Sequence, residues 1–232
     1  TRQRRNTYKK QNRHKLIPYL LWQRIYLQIR AMKNAKKYHV FGIGNAIVDI
    51  VTEVEYDFFE KNNIEKGVMT LVDEKRQQEL MKVINMEKSK LSGGGSAGNT
   101  VTALSQFGGK AYYACLVAKD ELGKFFIDDL DNNQVHHGLQ YNKLPESETG
   151  RCLVMTSPDA ERTMNTFLGI SSHLSPEHLD ENAIIQSEYV YLEGYLVASP
   201  KGLEAMKQTK KIAERNGVKV ALTFSDASMV KY

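Results

Sequence analysis

Hydrophobic and polar positions along this chain follow an order that predicts alternating strands and helices. Apolar, β-prone runs typical of strands buried on both faces occupy residues 38–43, 111–117, 189–194 and 218–224. Helical patterns occupy residues 74–86 and 99–107 and begin again near Leu122, Ser175 and Ser199. Parallel strands need crossover helices between them, so this order predicts an α/β fold with a mostly parallel sheet.

Two segments interrupt the alternation and predict additional β structure. Residues 51–73 contain short mixed runs, which indicate an insertion at the edge of the sheet. Residues 149–168 divide into two β-like arms around a turn, which is a hairpin pattern. Apolar side chains occupy both faces of the first arm, Gly150 to Thr156, and we expect one face to cover a ligand.

A glycine-rich stretch from Leu91 to Gly109 is a candidate ligand site. Its glycines at 93, 95 and 98 match G-x-G-x-x-G, but the charged residues 86–90 do not form the buried strand that a dinucleotide fold requires. No Walker-type Lys-Ser/Thr follows either. Glycine lets the backbone pass close to a ligand, and a helix start presents unpaired N–H groups. A flexible linker is the alternative, but Asn99 and the helix behind it favour a site.

Polar residues directly after the first predicted strand are a second candidate. Asn45 and Asp49 follow the run 38–43. Groups just past the carboxyl end of a central strand lie at the crevice where open α/β sheets bind ligands. A carboxylate can equally cap a turn or a helix end, so Asp49 alone leaves both interpretations open.

Composition limits the classes of function. The chain has 232 residues and 41% apolar content, enough for a core in one large or two small domains. Its two cysteines, Cys115 and Cys152, lack the spacing of a metal or redox site. We therefore expect no metal centre, free thiols and a cytoplasmic location.

The net charge of +5 comes from a basic amino-terminal extension, residues 1–37. Residues 1–31 carry nine Lys/Arg and no acidic residue, and the remainder is mildly acidic. The amphipathic pattern of this segment leaves open an anionic membrane, nucleic acid or organellar targeting, although its apolar run is too short to span a bilayer. Because Met32 reads as a natural start, translated upstream sequence is our preferred interpretation, with neither nucleic acid nor stable membrane insertion expected.

Several motifs in one order resemble the ribokinase-like (PfkB) carbohydrate kinases. The motifs are Gly-Ile-Gly-Asn-Ala-Ile-Val-Asp at 42–49, Gly-Gly-Gly-Ser-Ala-Gly-Asn at 93–99 and Asp-Glu-Leu-Gly at 120–123. Residues 162–166, 191–195 and 222–226 are most similar to the adenosine kinase-like branch. The resemblance covers Tyr38 to Tyr232, and ordered motifs are more specific than one glycine loop.

The resemblance implies a three-layer αβα sandwich with a small β lid, formed by segments near 51–73 and 149–168. It implies that sugar hydroxyls are held by Asn45, Asp49, Gly94, Gly95, Ser96 and Asn99. Carboxylate and amide groups suit this task, because they pair with hydroxyls as acceptors and donors. Lid residues then cover an apolar base, and ordinary lid packing is the alternative for them: Ile47, Met69, Met164 and Leu168.

Two arginines are further candidates for the implied site. Arg151 and Arg162 would lie near the transferred phosphoryl group, or pair within the lid with Glu148 and Glu161. Surface pairing is the default for such arginines and contributes little free energy.

The catalytic and ATP-binding motifs of this family are missing here. The resemblance places them in a Gly-Ala-Gly-Asp segment preceded by Asn-x-x-Glu, and neither follows the last predicted strand. We therefore expect no catalytic residue in this chain, a base beyond Tyr232, an absent ATP-binding half and a fold incomplete at the carboxyl end. The chain should retain substrate binding, bind ATP and Mg²⁺ poorly and show no turnover alone.

For the full-length parent, the resemblance implies ATP- and Mg²⁺-dependent phosphorylation of a nucleoside or sugar hydroxyl, most simply adenosine to AMP. A ribose- or fructose-like sugar is the nearest alternative substrate, and a non-catalytic ligand-binding fragment is the alternative of another class. An incomplete sheet exposes an edge and an apolar face, which predicts self-association. Lid strands are the candidate contact for a homodimer.

Overall fold

The structure, a computed structural model, describes residues 36–226 and 229–231. Almost all of the basic extension, with the interpretations raised for it, lies outside these residues. The described strands are β1 (Tyr38–Ile43), β2 (Ile47–Glu53), β3 (Met69–Leu71), β4 (Lys90–Gly94), β5 (Ala111–Ala114), β6 (His136–His137), β7 (Gly150–Thr156), β8 (Arg162–Phe167), β9 (Ser187–Glu193) and β10 (Lys219–Thr223). The described α-helices are α1 (Tyr56–Lys61), α2 (Glu74–Val83), α3 (Ser96–Gln106), α4 (Glu121–Asn132), α5 (Glu181–Ile185) and α6 (Pro200–Arg215).

The larger sheet is entirely parallel, with strand order β10-β9-β1-β5-β6. Helices cover both of its faces. Val101 of α3 and Phe126 of α4 are buried against one face, and Ile184 of α5 and Ile212 of α6 are buried against the other. The predicted αβα sandwich with a mostly parallel sheet is therefore confirmed.

A second sheet of mixed direction, the lid sheet, has the order β3-β8-β7-β2-β4. Strands β7 and β8 form the antiparallel hairpin that the sequence predicted. Helices α1 and α2 pack on the outer face of this sheet through Phe59 and Leu80. Only three residues, 44–46, connect β1 of the larger sheet to β2 of the lid sheet.

Local capping explains where the crossover helices begin. Asp120 caps α4 by accepting a hydrogen bond from the backbone N–H of Gly123 at 2.7 Å. Ser199 caps α6 in the same way, and Gly217 ends that helix with a φ of +65°. Ser175 caps a helical start as predicted, but the element is only a 3₁₀ turn, residues 176–178, and α5 begins after Asp180 accepts from the N–H of Ala183.

One strand prediction also needs correction. The last strand, predicted to be buried, is the edge strand β10, whose Val220 and Leu222 are 37% and 50% exposed because no other described strand pairs with its outer edge. A strand does precede the glycine loop, but it is β4, an exposed edge strand paired antiparallel with β2. It is not the buried parallel strand of a dinucleotide fold. Within the described residues, no helix is long and apolar enough to cross a membrane.

Candidate functional site

A cavity of about 200 Å³ lies between the carboxyl ends of the large-sheet strands and the lid sheet. Ten of the residues singled out in the sequence line it: Asn45, Ile47, Asp49, Met69, Gly95, Ser96, Asn99, Arg162, Met164 and Leu168. The end of β1, the glycine loop and the hairpin therefore meet around one space. This is the crevice where α/β sheets bind ligands.

Asn45 is held in place by three protein groups. Its backbone N–H donates to Oε2 of Glu193 at 2.5 Å, and its carbonyl accepts from the hydroxyl of Tyr113 at 3.0 Å. Its side-chain Oδ1 accepts from the Ser171 hydroxyl at 3.1 Å. The backbone and one end of the amide are thus fixed, and the residue is only 4% exposed.

Glu193, at the end of β9, joins the β1 segment to the glycine loop. Its Oε1 accepts hydrogen bonds from the N–H of Ser96 at 2.9 Å, from the Ser96 hydroxyl at 2.6 Å and from the N–H of Ala97 at 3.2 Å. The carboxylate thereby satisfies unpaired donors at the amino terminus of α3, where the helix dipole favours negative charge. Burial raises the pKa of Glu193, and these hydrogen bonds oppose that shift.

Close packing explains why glycine occupies positions 44 and 95. A Cβ at Gly44 would overlap the Glu193 carboxylate and lie 2.7 Å from the Cβ of Ala97. Gly95 has a φ of +88°, and a Cβ there would overlap the carbonyl oxygen of Asn45. Glycine at these positions lets the loop approach the end of β1 directly.

Asp49 extends from β2 of the lid sheet into the cavity. Its carboxylate lies over Gly94, where a Cβ would be 2.5 Å from Oδ1. Burial raises the pKa of Asp49 to about 6, and the positive charge of Arg162, which lines the same cavity, opposes this rise. At neutral pH the cavity therefore presents a carboxylate able to accept hydrogen bonds from ligand hydroxyls.

The lid sheet contributes most of the apolar lining. Met69 and Leu71 come from β3, and Met164 and Leu168 come from β8 and its end. Buried Cys152 also lines the cavity; it accepts a hydrogen bond from the Thr166 hydroxyl, and burial raises the pKa of its thiol to about 12. The cavity thus combines polar groups at strand ends with an apolar cover.

Two sequence candidates lie outside the cavity lining. Gly94 makes room for the Asp49 carboxylate but does not itself line the space. Arg151 pairs with Glu148 at 3.3 Å and lies over the ring of Phe167, so it is a lid contact. The predicted partner of Arg162 also differs, because Glu161 pairs with Lys66 instead.

Six residues of the lining were not predicted as site residues: Leu71, Cys152, Thr166, Glu193, Tyr195 and Ala198. The alternating pattern of the first hairpin arm could have indicated Cys152, because Cys152 and Val154 lie on the same face of β7. Glu193 lies in the family-like segment 191–195, but no local pattern indicated its role, because its partners are 96 to 148 residues away in the chain. Among the residues described, no group of three His, Cys, Asp or Glu side chains is arranged to hold a metal ion.

Comparison with known proteins places this chain in a family. The model of the pfkB family carbohydrate kinases matches residues 68–231. The chain belongs to this pfkB family. The resemblance drawn from the three ordered motifs is therefore confirmed.

Individual pfkB relatives include nucleoside kinases. Adenosine kinase of Saccharomyces cerevisiae is 24% identical over 192 residues, 79% of this chain and 55% of that protein. Guanosine-inosine kinase of Escherichia coli K12 is 24% identical over 191 residues, 79% of this chain and 44% of that protein. The crystal structure of adenosine kinase from Sinorhizobium meliloti has a TM-score of 0.78 and 37% identity, covering 84% of this chain and 59% of that chain. The chain thus spans about half the length of the curated relatives it matches.

Proposed function

We propose that this chain provides the substrate-binding part of a pfkB-type kinase that phosphorylates a nucleoside hydroxyl, with adenosine as the first candidate substrate. The single observation that carries the proposal is the cavity, in which Asn45, Asp49 and the glycine loop meet an apolar lid. In this proposal the polar groups bind the sugar and the lid covers the base. Cytoplasmic location belongs to the proposal as well.

The polar end of the cavity supports binding of a sugar. The Asp49 carboxylate accepts hydrogen bonds, and the Asn99 side chain at the start of α3 both donates and accepts them. Vicinal hydroxyls donate and accept as well, so neighbouring partners of both kinds suit them. Gly95 lets the ring approach the backbone closely.

The apolar end of the cavity supports a nucleoside over a free sugar. Met69, Leu71, Met164 and Leu168 offer thioether and aliphatic surface rather than further hydrogen-bond partners. A flat purine buries apolar area against such side chains, and methionine adapts readily to aromatic rings. A ribose- or fructose-like sugar would leave this surface without a partner.

ATP and Mg²⁺ are assigned to the longer enzyme rather than to this chain. No Gly-Ala-Gly-Asp segment occurs in residues 1–232. The described part of the chain also offers no cluster of carboxylates suited to a metal ion. The residues present therefore do not fit a complete nucleotide-metal site, and we derive no phosphoryl-transfer step from them. We expect the 232-residue chain to bind a nucleoside without phosphorylating it.

Ligand binding to the 232-residue chain tests the proposal. Thermal-shift and calorimetric titrations would compare adenosine, inosine, ribose and fructose. We expect adenosine to raise the melting temperature most, with inosine second and the free sugars giving little change. Ribose or fructose matching adenosine would favour a sugar kinase, and failure of all four ligands to bind would overturn the proposal. Release of AMP from adenosine and ATP would contradict the expected inactivity of the chain alone.

A matched pair of variants connects binding to the cavity. Asp49→Asn removes the carboxylate that faces the cavity, whereas Asp57→Asn removes an exposed carboxylate that pairs with Lys61. We expect Asp49→Asn to weaken adenosine binding about tenfold or more, since hydrogen bonds to charged groups contribute roughly 1.5–3 kcal/mol. Asp57→Asn should bind as the unmodified chain does. Equal affinity in both variants would place the ligand elsewhere.

A further inference from the structure

Ser171 is fully buried and does not itself line the cavity, but its N–H donates to the carbonyl of Leu168 and its hydroxyl donates to the side chain of Asn45, two residues that do line it. It lies in the 3₁₀ turn Gly169–His173, next to the connection between β1 and β2. Its hydroxyl oxygen accepts a hydrogen bond from the backbone N–H of Ala46 at 3.1 Å. The same hydroxyl donates its proton to Oδ1 of Asn45, also at 3.1 Å.

These two hydrogen bonds determine which way the Asn45 amide faces. A backbone N–H can only donate, so the Ser171 oxygen acts as acceptor toward Ala46. The one hydroxyl proton is then available for Asn45, which must present its oxygen. The reverse orientation of the amide would leave a buried hydroxyl proton with no acceptor among the described residues, which costs free energy.

With Oδ1 held by Ser171, the amide nitrogen of Asn45 is the end that remains for a ligand. No partner for this nitrogen is present in the part of the chain that the structure describes, and Asn45 lines the cavity. Asp49 lines the same cavity with a carboxylate that accepts hydrogen bonds. The cavity therefore offers a donor at Asn45, whose orientation Ser171 fixes, and an acceptor at Asp49.

We propose that Ser171 is a positioning residue, which fixes the Asn45 amide so that the cavity presents a hydrogen-bond donor at Asn45 beside the acceptor at Asp49. Ser171 itself does not touch the ligand. Its effect is on selectivity: a ligand with a hydroxyl oxygen that accepts from Asn45 binds more tightly than an analogue that lacks this hydroxyl. This inference rests on the proposed function, since it takes the ligand to carry sugar hydroxyls.

Removal of the Ser171 hydroxyl tests the inference through ligand selectivity. Affinities of adenosine, 2′-deoxyadenosine and 3′-deoxyadenosine would be measured by calorimetry for the unmodified chain and for Ser171→Ala. We expect Ser171→Ala to weaken adenosine binding about tenfold. The affinity for the analogue that lacks the hydroxyl bound by Asn45 should stay almost unchanged. The preference for adenosine over that analogue should therefore fall about tenfold. A uniform loss across all three ligands would overturn the proposal, because it would indicate a structural role alone.

Three further variants separate positioning from stability. Ser172→Ala is the matched control, since the Ser172 hydroxyl donates to Gly169 within the same turn and Ser172 does not line the cavity. It should leave the selectivity unchanged. Ser171→Thr retains the hydroxyl and should restore the selectivity. In an Asn45→Ala background, Ser171→Ala should not alter the selectivity further; a further change would contradict the proposal.

A ligand-free measurement keeps the inference separate from the proposed function. In ¹H–¹⁵N spectra we expect the Asn45 side-chain amide to give one fixed pair of signals in the unmodified chain and in Ser172→Ala. Loss of the Ser171 hydroxyl should shift or broaden this pair. If no nucleoside binds, the proposed function fails, and these spectra still decide the role of Ser171: signals unchanged in Ser171→Ala overturn it. The single fixed pair of signals expected for the unmodified chain can be checked even if Ser171→Ala does not fold.

Discussion

Ser96 donates both its backbone N–H and its hydroxyl to the same carboxylate oxygen of Glu193, at 2.9 and 2.6 Å. The other oxygen of that carboxylate accepts from the N–H of Asn45. A single buried side chain thus satisfies donors from the glycine loop and from the end of β1. The shape of the polar part of the cavity therefore depends on this buried carboxylate, which also belongs to the cavity lining.

Glu193→Gln should therefore destabilise the fold and weaken ligand binding together. An amide keeps one acceptor oxygen but places an NH₂ group against donors, so at least one buried N–H loses its partner. We expect a loss of about 2 kcal/mol in the free energy of unfolding, measured by urea denaturation. Glu188→Gln, on the exposed part of the same strand, is the control and should change little. Equal stability of the two variants would contradict this account.

Asp49→Asn should make the chain more stable at neutral pH, although it weakens ligand binding. The pKa of Asp49 is about 6 in the folded state against an ordinary value of 3.8, so the folded state binds this proton more tightly. The resulting stabilisation is present below about pH 4 and is lost as the pH rises through 6. The neutral amide avoids that loss, which amounts to at most about 3 kcal/mol for a shift of about two pKa units.

Urea denaturation from pH 4 to pH 8 measures this difference. Asp49→Asn and the unmodified chain should have nearly equal free energies of unfolding at pH 4. Between pH 4 and pH 7 the variant should become the more stable of the two. Asp57→Asn, which changes an exposed carboxylate, should show no such gain with pH. A constant difference across the pH range would show that the burial of the Asp49 charge is not responsible.

Gly95→Ala and Gly108→Ala form a pair that separates backbone strain from steric overlap. Both glycines have positive φ, +88° and +84°, but a Cβ at Gly108 meets nothing within 4 Å, whereas one at Gly95 overlaps the Asn45 carbonyl. Gly108→Ala should cost about 1–2 kcal/mol, the usual penalty for a left-handed L-residue. Gly95→Ala should cost clearly more and abolish nucleoside binding. Thermal unfolding with and without adenosine checks both, and similar losses in the two variants would refute the close approach.

Leu222→Lys should reduce association of the chain with itself. Leu222 and Phe224 are 50% and 69% exposed at the open edge of the large sheet, and unpaired edges with apolar side chains promote association. Sedimentation velocity over a range of concentrations measures the effect. Leu91→Lys, at the open edge β4 of the lid sheet, is the comparison, because Leu91 is also partly exposed at 42%. If only Leu91→Lys reduces self-association, contact through the lid strands is favoured instead.

The sequence predicted the fold and much of the cavity because both rest on local patterns. Apolar runs identified the central strands, and Ser199 and Asp120 identified the helix starts they cap. Ordered motifs then indicated the family. The residues that line the cavity from β2 and α3, such as Asp49 and Asn99, belong to those motifs.

Features that depend on long-range pairing were not accessible in the same way. Glu193 and Ser171 act on residues 96–148 and 125–126 positions away; segment 191–195 pointed to the family, but no local pattern indicated these partners. The exposure of Leu222 was underestimated for a similar reason. An apolar run has the same sequence pattern whether the strand lies at the centre or at the edge of a sheet. Two capping residues lie close together in this part of the chain. Ser175 begins only a 3₁₀ turn, and Asp180 begins the α-helix.

The three-residue connection between the two sheets has a mechanical consequence. Gly44 donates its N–H to the carbonyl of Ala114, Asn45 donates to Glu193, and Ala46 donates to Ser171. Every N–H of this segment is therefore hydrogen-bonded, to β5 and β9 of the large sheet and to the 3₁₀ turn that follows β8. A hinge at residues 44–46 would break these three hydrogen bonds, so we expect any opening of the cavity to leave this connection and the start of β2 in place.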